Sequence, residues 1–105
     1  MRILVVCGAG ASSTFVAQRI NRAARAQKLA YSATATNEAS LADGMGSSDL
    51  VLLGPHLAAH FEQVKDLAAT HGVTVVLLDA DVFADLDGTR TVARIEAAVR
   101  DGSPD

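Results

Sequence analysis

The sequence predicts an α/β fold: one three-layer domain with a four-stranded parallel sheet, order 2-1-3-4, and helices on both faces. Two observations lead there. Short apolar runs alternate with segments of helical periodicity along the whole chain. The runs are near-continuous in apolarity rather than alternating, as expected for strands covered on both faces. Right-handed crossovers then join successive strands. The expected order puts strand 1 in the middle, with the topological switch point at its C-terminal end, where open α/β sheets bind ligands.

The elements follow in order. Ile3-Leu4-Val5-Val6 is the first strand and ends at Cys7-Gly8. A helix is expected over residues 12–28, with Val16, Ile20, Ala23 and Ala24 on one face and Gln18, Arg22 and Arg25 on the other. Residues 30–36 alternate in polarity and read as a second, less buried strand. A short helix is expected over 39–43, before the turn residues Gly44, Gly46, Ser47 and Ser48. Leu50-Val51-Leu52-Leu53 is the third strand, closed by Gly54-Pro55, and Pro55 suits the first turn of a helix. Leu57, Phe61, Val64 and Ala68 recur at helical spacing, and Gly72 is a stop. Residues 73–78 form the fourth strand. Asp87-Gly88 is a turn, and residues 89–100 form the last helix, with Val92, Ile95 and Val99 inward. The domain is expected to span 1–105, with 101–105 a frayed polar tail.

Composition narrows the function. With 105 residues, half of them apolar, the chain can bury an ordinary core. A net charge of −3 and the lack of a long basic run argue against nucleic-acid binding; Arg19, Arg22, Arg25 and Lys28 read as a solvated helix face. One cysteine excludes an internal disulfide and a four-cysteine metal site. No run approaches about 18 apolar residues, so no span is expected and the expected location is cytoplasmic.

The chemistry concentrates in Cys7-Gly8-Ala9-Gly10-Ala11-Ser12-Ser13-Thr14, between a buried strand and a helix. Small residues allow a tight turn and close approach to a ligand. Backbone N–H groups there can converge on an anion, and the helix adds its positive end. Ser12, Ser13 and Thr14 add hydroxyl donors. The same field favours a thiolate at Cys7. A buried, inert cysteine is the plainer alternative. A nucleotide P-loop would need Gly-Lys, and no such pair exists. A dinucleotide fingerprint would need glycine at position 13, which is Ser13. The phosphatase motif Cys-x5-Arg of low-molecular-weight tyrosine phosphatases, whose fold this one would share, also meets Ser13 where the arginine should be. Without that guanidinium the transition-state oxygens lack their clamp, which favours holding phosphate over hydrolysing it.

With these features together, the sequence resembles the lactose/cellobiose-type enzyme IIB component of the bacterial phosphoenolpyruvate:sugar phosphotransferase system. The Cys7 segment is similar to that family's active loop. Asp49-Leu-Val-Leu-Leu-Gly-Pro55 is similar to its third strand and exit. Val75-Val-Leu-Leu-Asp79, with Phe83 and Asp87-Gly88, is similar to its fourth strand and the approach to the last helix. The resemblance implies that Cys7 is the phosphorylated nucleophile and that Gly8, Ala9, Gly10, Ala11, Ser12, Ser13 and Thr14 bind phosphate. It implies a IIA phosphohistidine donor, a membrane IIC sugar permease as the next partner, and no cofactor. A monomer, without membrane insertion of its own, is expected.

Pro55 and His56 stand as candidates to border the loop. After Leu-Gly-Pro the family commonly has glutamine, whereas this chain has His56. His56 and His60, at i and i+4, lack the carboxylate company of a metal site, and His71 reads as a solvated helix end. Asp79, Asp81, Asp85 and Asp87 read as turns and caps, with partner docking as the alternative. Two other functions stay open: a phosphatase or arsenate-reductase-like enzyme on the same scaffold, and a non-catalytic anion-binding module.

Overall fold

A computed structural model describes residues 1–6, 10–78 and 88–100 of the 105. Its strands are β1 (Arg2–Val6), β2 (Ser32–Thr36), β3 (Leu50–Leu53) and β4 (Thr74–Leu77). Its helices are α1 (Gly10–Ala26), α2 (Glu38–Met45), α3 (Phe61–Thr70) and α4 (Thr89–Arg100), with a 3-10 helix at Pro55–His60 before α3. The four strands form one parallel sheet in the order β2-β1-β3-β4, as expected.

The strand period of two sorts the core into two layers. Ile3, Val5, Leu50 and Leu52 point to the face covered by α1 and α4, where they meet Val16, Ile20, Val92 and Ile95. Leu4, Val6, Val51 and Leu53 point to the other face, against Leu41, Met45, Leu57, Val64 and Ala68 from α2, the 3-10 helix and α3. Every residue of β3 is buried, which is why its sequence is unbroken apolar. β2 is an edge strand with an exposed–buried–exposed start, which is why its sequence alternates.

Two boundaries differ from expectation for identifiable reasons. α1 ends at Ala26, two residues early, because the chain turns left-handed at Lys28, with φ 58°. The Leu29 N–H donates to the Ala24 carbonyl at 2.8 Å and the Lys28 N–H to the Arg25 carbonyl at 3.2 Å. That is a Schellman closure with lysine in the position usually held by glycine. The segment after Pro55 is not one regular helix: Leu57, at φ −105° and ψ 18°, kinks the 3-10 helix within its span, and α3 starts only after His60, at φ −99° and ψ 2°. Val99, expected inward, is half exposed on the last turn of α4.

Candidate functional site

The parallel registers set the strand ends in a row. Val6 pairs with Thr36 on one side and with Leu53 on the other, and Leu53 pairs with Leu77. From β1 the chain passes to α1 on one face; from β3 it passes to the 3-10 helix and α3 on the opposite face. The direction of winding therefore changes between β1 and β3, and the switch point lies at the ends of Val6 and Leu53.

Backbone bonds fix this point. The Gly54 N–H donates to the Val6 carbonyl at 2.7 Å, so the exit of β3 is tied to the last residue before Cys7. The Leu57 N–H donates to the Gly54 carbonyl at 3.0 Å and closes the first turn. Gly54 is extended, at φ −65° and ψ 155°, as a residue before proline should be, and Pro55 opens the 3-10 helix. Pro55 and the exposed His56 thus sit on the first turn beyond the switch point.

The helix expected from residue 12 begins two residues earlier, at Gly10, inside the proposed phosphate-binding segment. The backbone of Gly10, Ala11, Ser12, Ser13 and Thr14 is therefore helical. The first N–H groups of a helix have no partner within it and carry the positive end of its dipole. No acidic residue occupies the first turn of α1 to compete for that end. Small residues were read as loop formers, but glycine, alanine and serine are equally at home where a helix starts beside a sheet. Cys7, Gly8 and Ala9 lie outside the described residues, as do the side chains of residues 10–13; Thr14 is exposed. Asp79, Asp81, Phe83, Asp85 and Asp87 also lie outside them.

Three polar side chains make bonds that the sequence did not lead one to expect. Asn37 follows the last residue of β2 and caps α2, its Oδ1 accepting from the Ser40 N–H at 2.9 Å. Asparagine just before a helical run was a legible signal. Asp49 accepts from the Arg2 N–H at 2.8 Å through Oδ2, and Asn21 bonds the backbone of Ala33; both are long-range bonds with no local signature. Among the described residues, no group of three or more His, Cys, Asp or Glu could hold a metal ion, and no helix is long and apolar enough to cross a membrane.

Fold and switch point define a class: a small parallel α/β domain that brings a helix N-terminus, free of acidic side chains, to the end of its second-position strand. The family follows from comparison. The sequence profile of the family described as PTS system, Lactose/Cellobiose specific IIB subunit matches residues 2–97, and the chain belongs to that family. It is similar to the PTS system lactose-specific EIICB component of Staphylococcus haemolyticus, at 31% identity over 93 residues, covering 81% of this chain and 16% of that protein. The corresponding component of Staphylococcus epidermidis is 30% identical with the same coverage. The chain thus spans about a sixth of the length of these curated relatives.

Solved structures agree in fold. The lactose-specific IIB component domain from Streptococcus pneumoniae superposes with a TM-score of 0.85 at 21% identity, covering 93% of this chain and 96% of that one. The cellobiose-specific IIB component from Borrelia burgdorferi superposes at 0.77 and 24% identity, covering 100% and 96%.

Proposed function

We propose that this chain is a phosphoryl carrier of a sugar phosphotransferase system, with the Cys7 sulfur as the carrying atom. The observation that carries the reading is the family match over residues 2–97, which includes Cys7 and the start of α1. Support comes from the helix N-terminus that begins three residues after Cys7, beside the switch point. A thiolate and a phosphoryl group are both anionic, and both gain from that field.

Two in-line displacements complete the cycle. The Cys7 thiolate attacks the phosphorus of a phosphohistidine on a IIA protein; the S–P bond forms as the P–N bond breaks, and the imidazole leaves. A hydroxyl oxygen of a sugar held by a membrane IIC protein then attacks the same phosphorus. The O–P bond forms, the S–P bond breaks, the thiolate returns and the hydroxyl proton passes to a base on the sugar's side. Gly8, Ala9, Gly10, Ala11, Ser12, Ser13 and Thr14 hold the phosphoryl oxygens, and Pro55 and His56 border them. The work is positioning and charge stabilisation, and it calls for no cofactor. Ser13, standing where a phosphatase would carry arginine, leaves water without a clamped transition state and so favours retention of the group. In this reading residues 1–105 act as one IIB domain, monomeric and cytoplasmic.

The test is intact mass after incubation with phosphoenolpyruvate, the general phosphotransfer proteins and a IIA-type donor from the same genome. One phosphate adduct is expected, absent in Cys7→Ser. Lack of an adduct with every such donor would refute the reading. Fast turnover of p-nitrophenyl phosphate by the chain alone would favour a phosphatase.

A further inference from the structure

The net charge of −3 hides a strong asymmetry. Residues 1–37 carry five cationic side chains, Arg2, Arg19, Arg22, Arg25 and Lys28, and no acidic one; residues 38–105 carry the other four cations and all twelve acids. The fold concentrates the excess on the outer surface of α1. Phe15, Gln18, Arg22 and Arg25 follow one another at i, i+3, i+7 and i+10, opposite the buried face of Val16, Ile20, Ala23 and Ala24. All four are exposed. Gln18, Asn21, Arg22 and Arg25 line an open depression of about 420 Å³. Among the described residues, neither the Arg22 nor the Arg25 guanidinium has a hydrogen-bond or ion-pair partner.

Phe15 stands at the upper end of this stripe with 56% of its surface in water, although the chain has only three phenylalanines. It directly follows Thr14, the last residue of the proposed phosphate-holding segment. An aromatic in water at one end and two uncommitted guanidinium groups over the next two to three turns give a strip about 15 Å long. Exposed aromatics and arginines are the residue types enriched where proteins meet.

We infer that this face of α1 docks an acidic surface of the phosphodonor protein, with Phe15 packed at the centre of the contact beside the transferred group and Arg22 and Arg25 on its rim. The inference rests on the carrier reading. It commits to a protein because the strip is short and discrete. An extended polyanion or an anionic bilayer would call for a longer run of cations than the two guanidinium groups of this strip. Rim arginines of this kind set the rate of encounter and its salt dependence more than the chemistry that follows.

The test measures the second-order rate of phosphoryl transfer from a IIA-type donor of the same genome at 50 mM and 500 mM NaCl. The variants are Arg22→Glu/Arg25→Glu, the milder Arg22→Gln/Arg25→Gln, Phe15→Ala, and Lys65→Glu on α3 as a charge control. The double Glu variant should fall about tenfold or more at low salt and approach the wild type at high salt. The Gln pair should fall less, with an unchanged melting temperature. Phe15→Ala should lose rate at both salts, and Lys65→Glu should match the wild type. Wild-type rates in both arginine variants at low salt, with normal Cys7 adducts, would overturn this inference and leave the carrier reading intact. So would Arg22/Arg25-dependent binding to phosphatidylglycerol vesicles or to an oligonucleotide without an effect on transfer. Absence of adduct in the wild type refutes the carrier reading instead.

Discussion

The side-chain amide of Asn21 bonds both backbone groups of Ala33: its Oδ1 accepts from the N–H at 2.8 Å, and its Nδ2 donates to the C=O at 2.9 Å. Ala33 lies on β2, at the edge of the sheet, and its backbone groups face away from β1, because the Ser32 N–H already bonds inward to the Met1 carbonyl at 3.0 Å. An unpaired strand edge invites foreign pairing. Asn21 closes that position from α1. At the opposite edge, Arg94 of α4 donates through Nη2 to the outward carbonyl of Leu77 at 3.1 Å.

Asn21→Ala therefore removes two part-buried hydrogen bonds at once and leaves the Ala33 groups to water. A loss of about 1–3 kcal/mol in urea unfolding is expected. Asn21→Asp should cost at least as much, because a carboxylate can accept from the N–H but repels the carbonyl. Arg94→Ala, at an exposed bond, should cost less than about 1 kcal/mol.

Gly88 and Gly72 offer a matched pair. Both have positive φ, 76° and 68°, but a Cβ on Gly88 would collide with the Arg19 backbone carbonyl of α1, with the carbon only 2.7 Å away, whereas a Cβ on Gly72 meets nothing within 4 Å. Gly72→Ala should cost only the backbone conformation, about 1–2 kcal/mol. Gly88→Ala adds a clash between two backbones and should cost about 2–4 kcal/mol or displace the start of α4 from α1. Equal melting temperatures for the two variants would contradict this account.

Lys28 tests the converse. It pays for a left-handed conformation that glycine adopts freely. Lys28→Gly should raise stability by about 0.5–1 kcal/mol, offset in part by the greater freedom of glycine in the unfolded chain. Thermal unfolding at matched concentration reads this directly.

Tyr31 is the only tyrosine, and the chain has no tryptophan, so its phenol can be titrated by absorbance without interference. Burial raises its pKa above the ordinary 10.0, and the nearby Glu96 carboxylate raises it further. The midpoint should lie above 10, and Glu96→Gln should bring it down only partly, because burial is the larger cause. A raised phenol pKa means that folding favours the neutral form. Its contribution is full below pH 10 and is lost as pH rises through the folded-state value.

Two helix ends show how far the sequence could be read. α3 closes with the Val73 N–H on the Ala68 carbonyl at 3.0 Å and the Gly72 N–H on the Ala69 carbonyl at 3.3 Å, the same closure that ends α1. At Gly72 the stop was legible, because glycine advertises the left-handed turn. At Lys28 it was not, because nothing in a lysine does, and the expected helix overran by two residues. The site divides in the same way. Cys7 at a strand end and the Leu53-Gly54-Pro55 exit could be read from residue order, but the start of α1 at Gly10 could not, since Gly-Ala-Ser serves a loop and a helix start equally.

Local chemistry thus determined the parallel α/β class, the strand order, the two buried faces of the sheet and the cysteine to watch. These depend on the period of apolar residues and on short-range steric rules that each segment carries within itself. Tertiary structure alone decided which edges are closed and by what: Asn21 on Ala33, Arg94 on Leu77, and Gly88 against Arg19 join residues 12, 17 and 69 positions apart. It also set Phe15, Arg22 and Arg25 on one exposed strip along α1, the helix that starts at the switch point. Hydrogen bonds and steric fit between distant segments arise only once the helices have packed, so no window of sequence contains them.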